Sequence, residues 1–269
     1  MRKRSIALTA AAITAAAGIS AGAAAASIPA SLPDADPAIW VINDHDTTIY
    51  LFGTFHALDG RSAWFNDEIR TAFAASDELV LETVIPERTA FTAKASDGSG
   101  PASYLAATRM AMSAGRARGM QAGNGADHVL RHAAEYWGKP VGGLESFTAQ
   151  LGMFDRLPAQ PLRATPAMNP AQARATMNDL SLVMGEMQSA WNRGDWRLFT
   201  TMLTHMRINS PQSYNVMFAQ RNAHWANWIA QRLQRPGTVF VAVGTGHLVG
   251  RDSVQAKLAL RGVRSARVN

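Results

Sequence analysis

Residues 237–250 read Gly-Thr-Val-Phe-Val-Ala-Val-Gly-Thr-Gly-His-Leu-Val-Gly, and this stretch decides the fold. Thr238–Val243 is apolar and β-branched without alternation, the pattern of a strand buried on both faces of a parallel sheet. Gly237 introduces the run, and Gly244 ends it three residues before His247. An earlier segment has the same form: Thr47–Phe52 runs into Gly53-Thr54-Phe55-His56, again with Gly at the strand end and His three residues on. Glycine lets the backbone turn sharply or approach a ligand closely, and the His is then presented at the edge of the sheet. Gly53 and Gly244 are therefore candidate positions for cofactor approach.

The chain around these two strands alternates strand and helix. Ala38–Ile42 precedes the turn residues Asn43–Asp46 and predicts a hairpin with Thr47–Phe52. Apolar spacing predicts a helix over 62–75, and Glu78–Glu82 reads as a short buried strand. Helices are expected over 103–118, 127–137 and 146–157, with a short strand at 139–144 between the last two. Residues 171–234 read as helical throughout, broken at Gly194 and Ser210-Pro211, with a long last helix over 212–234. A helix over 252–260 and a strand over 263–268 close the chain. The fold class is α/β: a mixed, mostly parallel central sheet flanked by helices, with a helical insertion at about 171–234.

Composition narrows the function classes. Arg2, Lys3 and Arg4 precede an Ala-rich apolar run ending in Ala23-Ala24-Ala25-Ala26-Ser27, the pattern of a cleaved secretory signal over 1–26. The domain then occupies 27–269, and the protein is expected in the periplasm or secreted, with no stable membrane span after cleavage. Of 26 basic residues the signal takes three, leaving 23 against 20 acidic ones. The remaining basic residues form no run or stripe, which argues against nucleic acid as a partner. The absence of Cys excludes disulfides, thiolate metal sites and a Cys nucleophile.

Two further strands end in a carboxylate, Glu82 after Glu78–Leu81 and Glu145 after Val141–Leu144. Parallel strands of an open sheet share one C-terminal edge, where ligands bind. His56, Glu82, Glu145 and His247 are thus expected to converge there. Two imidazoles and two carboxylates suit a borderline divalent ion such as manganese, cobalt or zinc. They equally supply a metal-free general acid and base. Arg221 and Asn222 lie on the helix before the second His strand, placed for a salt bridge or for reaching into the site. His128 and His132, four apart on a helix, read as a solvated face. The methionines at 184, 187, 202, 206 and 217 read as core filler rather than a copper site.

YLFGTFH (50–56), ELVLE (78–82), GLESFTAQLGMF (143–154), Arg221-Asn222 with Trp225, and VFVAVGTGHLVG (239–250) together resemble the TraB/GumN family, over about residues 38–268. That family includes the TraB/PrgY pheromone-shutdown proteins and the Tiki proteases. The resemblance implies a fold similar to erythromycin esterase-like and ChaN-like proteins. It also implies a site built from His56, His247 and Glu82, with Glu145 and Arg221 as companions, and metal-dependent protease-like chemistry. In that scheme His56, His247 and Glu82 hold the ion, Glu145 handles the attacking water and Arg221 stabilises charge on a peptide or envelope-component substrate. A metal-free, esterase-like hydrolase and a non-catalytic binding protein are the alternatives. The chain departs from the family in a short Gly/Ser-rich stretch between the Glu82 strand and the helix with His128.

Overall fold

The structure, a computed structural model, describes residues 32–84, 101–158 and 169–269, with backbone alone over 101–107. The expected signal at 1–26, the Gly/Ser-rich stretch at 85–100 and part of the Pro-punctuated linker at 159–168 lie outside the described residues. Six strands form one sheet in the order β4-β3-β5-β2-β1-β6. They are β1 (Ile39–Asn43), β2 (Thr47–Thr54), β3 (Glu78–Leu81), β4 (Val141–Gly143), β5 (Gly237–Gly244) and β6 (Ala266–Arg267). β5 is the axis, parallel to β2 on one side and to β3 on the other, while β4 runs parallel to β3. β1 pairs antiparallel with β2 and with β6. The sheet is mixed and mostly parallel, as its sequence pattern requires.

The unbroken apolar run of β5 is explained by two cores. Phe240 and Ala242 face one side, packing with Phe52, Phe73, Leu79 and Trp191. Val239, Val241 and Val243 face the other, with Leu51, Val80, Trp225 and Ile229. Fully burying a side chain of this size contributes about 1.5–3 kcal/mol, so a polar residue at any of these positions would oppose the fold.

Helices cover both faces: α1 (Asp67–Ala75), α2 (Pro101–Arg116), α3 (Ala126–Tyr136), α4 (Phe147–Asp155), α5 (Pro170–Asn192), α6 (Arg197–Asn209), α7 (Pro211–Tyr214), α8 (Gln220–Arg232) and α9 (Val254–Ala259). Three expectations change in detail. The helix predicted from 62 starts at 67, because Asn66 caps it with its side chain on Ile69 N. Trp64 stays in the preceding segment and stacks on Phe52. The strand expected over 263–268 shrinks to two residues. The long last helix is interrupted by a π-helical turn, Asn215–Ala219, so that α8 begins at Gln220. α8 is a layer of the sheet itself, with Trp225, Ala226 and Ile229 buried under β5; of the predicted insertion, α5 and α6 stand apart from that layer. Among the described residues no helix is long and apolar enough to cross a membrane.

Candidate functional site

The C-terminal ends of β2, β3, β4 and β5 lie along one edge, as their parallel register dictates. Gly244, the last residue of β5, is the centre of what gathers there. A Cβ at this position would stand 3.1 Å from Glu82 Oε1, 3.3 Å from His56 Nε2 and 3.8 Å from His247 Cδ2. Its N–H also donates to Glu82 Oε1 at 2.7 Å. Glycine is needed here because three predicted site residues crowd over its α-carbon. Gly53 serves the packing instead. Its Cβ would sit 3.0 Å from Thr245 Oγ1, and its carbonyl accepts the Trp191 indole N–H at 2.7 Å. It lets the two strand ends approach each other closely.

Glu82 and Glu145 are held side by side by the backbone, since Glu145 N donates to Glu82 O at 3.0 Å. Between them and His247 lies Arg221, delivered by the first turn of α8 directly after the π turn. Its Nε and Nη2 fork onto Glu145 at 3.1 Å and 2.6 Å. Nη2 also donates to Glu82 Oε2 at 2.7 Å, and Nη1 to the Met217 carbonyl at 3.2 Å. Nη1 lies 3.1 Å from His247 Nε2. A guanidinium has five N–H donors, and these contacts engage all five. Arg221 is a keystone with no donor left for a substrate, and Glu145 is committed to it.

His247 is fixed from both sides. Its Nδ1 is 2.5 Å from Asn222 Oδ1. The Asn222 amide is oriented in turn by its Nδ2, which donates to the Asp252 carbonyl at 2.7 Å. Nδ1 therefore carries the proton, and the Nε2 lone pair accepts from Arg221. The ring lies 4.4 Å from the Trp225 ring, centroid to centroid. Burial and the nearby Arg221 and His56 outweigh the pull of Glu82 and hold its pKa down to about 3. For Glu82, burial favours the neutral form, but the neighbouring His247, Arg221 and His56, with the Gly244 N–H, prevail, and the carboxyl stays well below its usual range.

His56 faces a different environment. Ala126 N donates to the Phe55 carbonyl at 3.0 Å, and a Cβ at Gly125 would collide with the His56 carbonyl. This close approach seats the start of α3 against the histidine and brings Asp127 Oδ1 to 3.1 Å from His56 Nδ1. Asp127 Oδ1 is buried and has no other partner among the described residues, so the Nδ1 hydrogen points to it. Nε2 is left on the side of Gly244. Crowding lowers the basicity of the ring, but the hydrogen bond and charge of Asp127, with Glu82 behind, overcome this and raise its pKa to about 9. In the sequence Asp127 is visible only as a first-turn acid of α3; the signal for its role is Gly125 two residues before it.

In this arrangement the donors do not fit a metal ion. His247 Nε2 is occupied by Arg221, each Glu82 oxygen already accepts a hydrogen bond, and a guanidinium stands where an ion would have to bridge them. Among the described residues the one group of three whose ligand atoms all lie within 4.8 Å of one another is the exposed turn Asp44, His45, Asp46, which joins β1 to β2 at the end of β2 opposite His56.

A cavity of about 690 Å³ opens beside His56, Glu82, Arg221 and His247. Its walls come from α2, α4, α5, α6 and the π turn. Seven methionines line it: Met112, Met120, Met153, Met184, Met187, Met202 and Met217. The last four read as core filler in the sequence; Met184 and Met187 do pack against one core and Met217 belongs to another, and all four also face the cavity.

The TraB/PrgY/gumN family matches residues 38–102 and 90–267. The chain belongs to the TraB/PrgY/gumN family. The two matched stretches overlap at 90–102 and together span most of this TraB/PrgY/gumN chain. No curated protein and no solved structure matches the chain.

Proposed function

We propose that the protein is an exported hydrolase of an ester or amide in an envelope component, with His56 as general base and no ion between its donors. The observation that carries this reading is the His56–Asp127 pair. Nδ1 is tied to a carboxylate at 3.1 Å, and Nε2 is on the side of a cavity large enough for a substrate. A base oriented by a carboxylate at its far nitrogen is the recurring arrangement for activating a nucleophile. Water adds to the substrate carbonyl as its proton passes to Nε2. The bond to the alcohol or amine then breaks, and the leaving atom takes that proton. Acid and alcohol (or amine) depart, with His56 neutral again. Asp127 stabilises the imidazolium throughout. Glu82, Arg221, Glu145 and His247 form the fixed wall behind the reacting carbonyl.

The test is hydrolysis of chromogenic short-chain esters and peptide anilides by the purified protein and by His56→Ala, each with and without a chelator. Turnover that disappears in His56→Ala and survives chelation is expected. Turnover that needs manganese, cobalt or zinc, or that persists in His56→Ala, would overturn the reading.

A further inference from the structure

The cavity is chemically two-ended. At the sheet edge it presents His56, Glu82 and His247; away from the edge, its polar lining among the described residues is Arg116, Gln121 and Gln150. Gln121 is already used through its backbone, which exchanges two hydrogen bonds with Leu58 at 2.9 Å and 3.3 Å. A bound peptide brings an amide N–H and C=O at every residue, and each one buried without a partner costs about 1–3 kcal/mol. Walls this poor in donors and acceptors are unsuited to a peptide and suited to a ligand that has none.

The kind of apolar wall also matters. Valine, isoleucine and aromatic side chains make pockets of fixed shape, whereas methionine is unbranched, polarizable and adapts to what it touches. Gly115 widens the space further: a Cβ there would meet Met120 Sδ at 3.3 Å and the Met184 methyl at 3.7 Å. Met112 and Met202 are partly exposed to solvent, and the same helices carry Met110, Leu182, Val183 and Ile208 exposed. The apolar character thus continues from the cavity onto the outside of α2, α5 and α6.

We infer that the cavity holds the long, unbranched acyl chain of an ester, with the ester carbonyl at His56. This rests on the hydrolase reading and narrows its substrate to acyl esters. Such a chain needs no hydrogen bonds, has no fixed shape to match, and fills a space lined by flexible side chains. Cleavage gives the free fatty acid and the alcohol, with water as co-reactant and His56 carrying the proton between them.

The experiment measures binding and turnover separately. Calorimetric titration of the purified protein and of His56→Ala with butanoate, octanoate and dodecanoate should show affinity rising roughly fourfold per added CH₂ in both proteins. Met202→Glu, at a partly exposed position that tolerates charge, should flatten that dependence while thermal unfolding stays near wild type. Initial rates are then compared on 4-nitrophenyl butanoate, 4-nitrophenyl dodecanoate and phospholipid vesicles. Preference for the dodecanoate ester supports the assignment, and fatty acid released from vesicles also supports it and places the donor in a membrane. Hydrolysis of the butanoate ester with no gain from chain length in binding or rate sinks the acyl chain and leaves the hydrolase. Chain-length-dependent binding by both proteins with no ester turned over sinks the hydrolase and leaves the acyl chain as ligand.

Discussion

The two G-x-x-H segments are near duplicates in sequence and opposites in the folded protein. The His247 side chain is 6 % exposed and the His56 side chain 64 %. Both rings direct Nδ1 to an oxygen, one on Asn222 and one on Asp127. A neutral amide and a carboxylate have different consequences, however. Beside Asn222 and Arg221 the imidazole of His247 is kept neutral; beside Asp127 that of His56 is kept charged. Equal spacing from a strand-end glycine therefore places a histidine at the edge, and its neighbours on other elements decide whether it reacts or braces.

The largest effect separates the two directly. His56→Ala should lower kcat/KM about 100- to 10,000-fold, the usual contribution of a positioned general base, with the fold retained and the melting temperature closest to wild type above pH 9, where the stabilising contribution of His56 is lost. A comparable loss in stability, and none traceable to chemistry alone, is expected at the keystone. Arg221→Met leaves Glu82 and Glu145 facing each other with no cation, and should cost about 3–5 kcal/mol in urea unfolding. If it folds as well as wild type, the bracing role assigned to that cluster is wrong.

His247→Ala should cost less, about 1–3 kcal/mol, the cost of leaving buried polar partners unsatisfied. Its pH dependence gives a finer test. Because the native pKa of His247 is below its ordinary 6.5, the unfolded chain takes up a proton that the native site refuses. Stability is lost as pH falls from 6.5 towards 3, and Glu82 adds to the loss below 4.5. His56 has the opposite sign: its contribution is present below 6.5 and lost as pH rises through 9. His247→Gln should remove the loss between 6.5 and 4.5, where Glu82 does not yet contribute, while retaining the alkaline one. The smallest effect is Asp127→Asn. Activity that needs a neutral His56 should rise with pH up to about 9, and this variant should bring that limb down towards 6.5. An unmoved limb would detach Asp127 from His56.

The sheet and its edge are legible in the residues alone, because β5 announces itself by an unbroken apolar run and each strand end carries its own Gly or Glu. Convergence of His56, Glu82, Glu145 and His247 follows from parallel strands. Their division of labour does not. Arg221 reads as a reaching cation until its five donors are counted against five acceptors, and that count exists only in three dimensions. Asp127 is invisible for a similar reason: its partner lies 71 residues away, and only the approach of Gly125 to the His56 backbone joins them. The π turn before Arg221 leaves no periodic signature, since it adds one residue to an otherwise helical pattern.

β4 is three residues long and lies at the edge of the sheet, where a slip of one residue turns every side chain to the other face. Leu144 and Glu145 extend its pairing with β3 just far enough to set Glu145 beside Glu82. A chain that docked this strand one residue out of step would point the carboxylate away and leave Arg221 without two of its five acceptors. The arginine cluster thus proofreads a short edge pairing: it closes only on the correct alignment, so a completed site certifies that this edge has been assembled properly.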